Sequence, residues 1–188
     1  MGEVHWREVL DVDALRAHLH QDLNVERGDE HLYAHLQSTL PSRILVDLLR
    51  PAVTLARMHE RRFIHERDFV VARKLSTFPV RGTRSTHRFF HTEAFRQMVN
   101  DHLILLCAYV DRYTDGDGET EVLRISNENV ESLRQQMDTT VCLFLQRLAE
   151  KSTRRLVTTK VFDAVLAEWM HDQDYVTRED PYVPLSDF

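Results

Sequence analysis

With 188 residues, 43% of them hydrophobic, the chain has room for one ordinary soluble domain or two very small ones, and its longest apolar run, Leu103 to Val110, is under half of a membrane span, so no membrane partner is expected. A net charge of −6 spread evenly would repel nucleic acid, but Pro41 to His91 carries eleven Arg and Lys against four acids, a net of +7. The first thirty residues and the last twenty-one, Glu168 to Phe188, each come to −5, so a basic middle lies between acidic ends.

The opening MGEVHWREVL has neither the basic-then-apolar order of a secretory leader nor the hydroxyl residue of a myristoylation signal. From Asp11 to Leu23, Val12, Leu15, Leu19 and Leu23 recur at three- and four-residue spacing and predict a short amphipathic helix. A longer helical stretch runs from about Glu30 to Glu60 through Leu32, Leu36, Leu40, Ile44, Leu48 and Val53. Pro41 and Pro51 are each expected to restart or kink it, because proline lacks the amide hydrogen and clashes with the preceding turn. Arg62 to His65 reads as extended and Glu66 to Leu75 as a brief helix. Ser76 to Arg88, with Pro79, Gly82 and several Ser and Thr, is the best linker.

The pattern then repeats. Thr92 to Tyr113 is helical, YTDGDGETE is a loop, and Ser126 opens a long helix ending near Lys151. Leu156 to Thr158 is extended and Thr159 to Met170 helical; the acidic stretch from His171, with Pro181 and Pro184, is expected to be irregular. Short helix, long helix, short strand and short helix thus occur twice, as units 1–78 and 91–172 joined by a linker 79–90 and followed by a tail 173–188.

The two units share a pattern where each long helix meets the last one. In ARMHERRFIHERDFVVARKL, Ala56 to Leu75, the basic pair Arg61 and Arg62 precedes Ile64, then Asp68, Phe69, Val70 and Ala72. In RLAEKSTRRLVTTKVFDAVLAEW, Arg147 to Trp169, the corresponding residues are Arg154, Arg155, Val157, Thr158 and Ala164, and VLRIS, Val122 to Ser126, sets Arg124 just before a long helix. On these residues the chain resembles the histone-fold family over about 150 residues, and it looks like the tandem histone doublets of giant viruses and some archaea. The resemblance implies an all-α fold, two tandem histone folds forming an intramolecular histone-like pseudo-dimer, in a nuclear or virion setting. It also implies that Arg61 and Asp68 form a buried structural pair. Val161 stands where the second unit's aspartate belongs and Asp163 falls two residues late, so that unit departs from the pattern.

In a histone pair, the second loop of one unit lies beside the first loop of the other. That implies Arg154 and Arg155 near Arg27, and Arg61 and Arg62 near Arg124, each cluster holding a phosphate track with arginine's planar fork. Arg81, Arg84 and Arg88 of the linker are candidates for a minor groove. The expected function is sequence-independent binding of double-stranded DNA, helping to package it in nucleosome-like particles with another histone-fold pair or doublet. The alternative, which the net charge of −6 favours, is a histone-fold interaction scaffold in a transcription or chromatin complex that leaves DNA to others. The bland reading of the same arginines is a set of solvated loop residues.

No metal, cofactor or small-molecule substrate is expected. His31/His35 and His87/His91 have i, i+4 spacing, but neither has the H-E-x-x-H form and no cysteine pair accompanies them. Read as a calcium loop from Asp111, YTDGDGETE puts Tyr113 and Val122 where oxygen ligands belong. Cys107 and Cys142 lie in apolar helical patterns and read as reduced core thiols of a cytosolic or nuclear protein. With no G-x-S-x-G elbow, no phosphate-binding glycine loop and no cysteine beside an obvious base, the chain is not expected to be an enzyme.

Overall fold

The apolar periodicities resolve into helices joined by two-residue strands in the computed structural model, which describes residues 9–29, 31–76, 86–112 and 121–177, with side chains as far as residue 169. The protein is mostly helical, as its composition predicts. Helix α1 (Val12–Ala17) is capped by Asp11, whose carboxylate accepts from the Ala14 amide at 3.0 Å, and it widens into a π-helical turn, His18–Asp22. Strand β1 (Arg27–Gly28) leads to helix α2 (Leu32–Met58), strand β2 (Phe63–Ile64) and helix α3 (Glu66–Leu75). The order then recurs as α4 (Thr92–Arg112), β3 (Arg124–Ile125), α5 (Asn127–Lys151), β4 (Leu156–Val157) and α6 (Thr159–Thr177). Ser126 caps α5 by accepting from the Asn129 amide at 3.1 Å.

Two expectations need correction. Of the restart or kink expected at Pro41 and Pro51, the restart does not occur: both lie inside a single helix, α2. A proline in a helix interior costs about 3 kcal/mol, whereas each fully buried leucine contributes roughly 1.5–3 kcal/mol. Leu36, Leu40, Ile44, Leu45, Leu48, Leu49 and Val53 are all buried around the two prolines, so burial outweighs the broken ladder. The stretch from His171 is helical as far as Thr177 rather than irregular. Trp169 anchors it edge-on against Phe144, centroids 5.0 Å apart, and no Gly or Pro intervenes before Pro181.

The two halves interlock through their loops. β1 pairs parallel with β4, Arg27 opposite Leu156 and Gly28 opposite Val157; β2 pairs parallel with β3, Phe63 opposite Arg124 and Ile64 opposite Ile125. The segments ahead of α1 and α4 also meet, Leu10 opposite Phe90, with the Asp11 amide donating to the Phe89 carbonyl at 2.7 Å and the His91 amide to the Val9 carbonyl at 2.9 Å. One hydrophobic core runs through both halves, from Leu15 and Leu19 across α2 to Phe95, Phe144 and Phe162. At the contact of α2 with α4, buried His102 donates Nδ1–H to the Met98 carbonyl at 2.9 Å and accepts the Ser42 hydroxyl on Nε2 at 3.0 Å. Burial lowers the pKa of His102, which favours this neutral form.

Candidate nucleic-acid interface

The first junction is built on backbone strain. Arg154 and Arg155 are consecutive left-handed residues, with φ of 54° and 56°, at about 1–2 kcal/mol each. The conformation aims the Arg155 carbonyl at β1, where it accepts from the amides of Glu26 at 2.8 Å and Arg27 at 3.3 Å. Gly28 lets the start of α2 pack closely on β1, since a Cβ there would meet the side chains of Leu32 at Cδ2 and Tyr33 at Cε2, both at 3.1 Å. Arg27, Arg154 and Arg155 are exposed around the junction. Arg155, with 66% of its side chain exposed, pairs with Glu26 at 3.2 Å. Among the described residues no carboxylate lies within ion-pair distance of Arg27 or Arg154.

At the second junction the Arg124 amide donates to the Arg62 carbonyl at 3.0 Å. Arg62, 77% exposed, reaches Glu121 at 3.5 Å, and Arg124 is exposed with no such partner among the described residues. Arg57, which the sequence did not single out, closes this end: its fork grips Asp111 of α4 through two 3.0 Å hydrogen bonds and also donates to the Glu121 carbonyl.

Arg61 points the other way. Its guanidinium, 14% exposed, makes hydrogen bonds of 2.8 and 2.7 Å to the two oxygens of Asp68, itself 4% exposed. The expected pair is therefore formed, and Arg61 is spent on it rather than turned to solvent. Burial by itself would raise the Asp68 carboxyl; the Arg61 fork and the His65 amide, 2.8 Å away, hold it below the usual carboxylate range.

The second half has no counterpart at that position. Val161 donates its amide to Thr158 Oγ1 at 3.3 Å, and Asp163 crosses to His35 Nε2 at 2.8 Å. Its buried pair lies within α5 instead: Arg134 contacts Asp138 and also Glu131, at 2.9 Å, while Asp138 accepts the Phe89 amide at 2.9 Å. Burial pushes Asp138 up to about 6 despite those donors. The signal was present as an Arg/Asp i, i+4 pair among Leu133, Met137 and Val141. Arg88, 3.8 Å from Glu131, joins this acidic partner.

Arg81 and Arg84, residues 113–120 of the acidic loop and the tail from residue 178 lie outside the described residues. Of the histidine pairs, His35 is engaged by Asp163 and by the Phe162 ring, and His87 packs against His18 rather than joining His91. Among the described residues no helix is long and apolar enough to cross a membrane. Comparison with protein-family models, curated proteins and solved structures returns no match to this chain.

Proposed function

We propose that the chain carries two histone folds in one polypeptide and holds double-stranded DNA by its phosphates, without reading sequence. The observation that supports this best is the crossed pairing of loops, β1 with β4 and β2 with β3, which gathers arginines from both halves at each junction. Arg27 and Arg154 at one junction and Arg124 at the other have no carboxylate partner among the described residues, so their forks are available to phosphate. Such binding releases condensed counterions, and log affinity falls against log salt with a slope of about −0.9 per phosphate contacted. The test is a titration of a random-sequence duplex at several salt concentrations. Arg27→Ala, Arg124→Ala and Arg154→Ala together should weaken binding and flatten the slope by roughly 3. Arg61 is left intact because changing it would break the pair with Asp68. Affinity and slope unchanged in the triple variant would overturn the proposal.

One such pair covers only a short arc of DNA, so packaging calls for a second histone-fold pair or doublet in a nucleus or a virus particle. Val70 and Leu75, apolar and exposed on α3, offer a docking end. Glu168 contributes little charge to such a contact, being held by Arg147 at 2.5 Å and Lys151 at 3.5 Å. A second reading, an interaction scaffold without DNA, is favoured by a specific surface. Ile104, Leu105 and Tyr109 are each about half exposed on α4, and Arg62 and Arg155 are already neutralised by Glu121 and Glu26. No retention of duplex at low salt by the folded protein decides for the scaffold.

A further inference from the structure

We propose that His18, His87 and Cys142 form a binding site for a zinc-type divalent cation, with Asp22 orienting His18. These residues come from three places: the π turn after α1, the segment ahead of α4, and the middle of α5. One ligand atom of each lies within 4.8 Å of the others. His18 Nε2 and Cys142 Sγ are 3.5 Å apart. A tetrahedral ion with Zn–N near 2.0 Å and Zn–S near 2.3 Å separates nitrogen and sulfur by about 3.5 Å, so this edge of the polyhedron already has its bound length. His87 presents its ligand atom within 4.8 Å of the other two, and its side chain, 41% exposed, has room to move toward the ion.

The orientation of His18 and the tautomer of its neutral ring are set by its neighbour. Asp22 Oδ2 lies 2.6 Å from His18 Nδ1, and a carboxylate only accepts, so Nδ1 carries the proton and Nε2 presents its lone pair toward Cys142. Metal-binding imidazoles are oriented by the same arrangement. The π turn is a second observation at the same residues. Such turns are rare and concentrate at functional sites, and here the Leu23 amide reaches back to the His18 carbonyl at 3.2 Å. Phe89 stacks on His87 at 5.7 Å and screens one side of that ring; with three protein ligands, a tetrahedral ion would take water at its fourth position. A thiolate with two imidazoles suits zinc or cobalt and not calcium or magnesium. Bound there, the ion would pin the connector to α1 and α5 whether or not the protein holds DNA.

The test uses the full chain, stripped with a chelator and titrated with cobalt(II). One equivalent should enter with thiolate-to-cobalt charge-transfer absorption, be displaced by zinc, and protect Cys142 from iodoacetamide. Cys142→Ser and His87→Gln should each remove the band; Asp22→Asn should keep it and weaken affinity by about 10- to 100-fold. His91→Ala, exposed and outside the cluster, should change nothing. Absence of the band in the folded protein, or its persistence in His87→Gln, would overturn the proposal and leave Cys142 as a thiol donating to His18.

Discussion

Asp68 and Asp138 are both buried beside an arginine, yet pH acts on them in opposite senses. Asp68 has its folded pKa depressed, so its pair with Arg61 stabilises the protein above the unfolded value of about 3.9 and is lost as pH falls through the folded one. Asp68→Asn leaves a buried arginine without its charge partner and should cost about 3–5 kcal/mol at neutral pH, less in acid, read from urea midpoints. Asp138 is raised to about 6, so the folded state binds the extra proton between about pH 4 and 6. Its contribution is greatest below pH 4 and declines as pH climbs through 6, by roughly 3 kcal/mol. Wild type should therefore lose stability relative to Asp138→Asn over that interval; a difference that is flat or rising with pH would refute the assignment.

At the scale of elements, the helices were legible and their interruptions were not. Three- and four-residue spacing located α1 to α6 to within a few residues, apart from the end of α6, because each buries a periodic apolar face. Pro41 and Pro51 do not divide α2, because local propensity says nothing of what packs on either side. Pro51→Ala restores an amide to α2 and should stabilise the protein by about 1–2 kcal/mol by thermal unfolding. The arginine clusters were legible as basic pairs, and the buried pair of Arg61 with Asp68 was expected, but the carboxylates beside Arg62 and Arg155 were settled by tertiary geometry. The approach of His18 to Cys142, 124 residues away, leaves no local trace in the sequence. The left-handed pair at β4 separates strain from function. Arg154→Gly relieves about 1 kcal/mol of backbone cost while removing an exposed guanidinium, so the variant should melt higher and, on the proposed function, bind DNA more weakly.

For the whole molecule, the crossed strands and the shared core mean that neither half closes its own surface. α2 packs against α3 in its own half and against α4, α5 and α6 in the other. Proteolytic cleavage between residues 77 and 85 should leave the two fragments associated on size exclusion, and separate elution would show that the core is not shared. His102 adds a pH term at this contact. Its folded pKa is lowered, so the contact should weaken as pH falls below about 6.5, where the unfolded chain takes up a proton that the folded one resists.

The burial of α2 from both sides also sets a clock on synthesis. The last residue of the helix is joined when Met58 is made, but α4, α5 and α6, which cover it from the other half, end only at Arg112, Lys151 and Thr177. At 5–20 residues per second, the nascent chain carries an incompletely covered leucine-rich surface for roughly 6–24 s before its cover is complete. That interval is a window for chaperone capture, and a message that slows the ribosome between the two halves should lower the yield of native protein even though the finished sequence is identical.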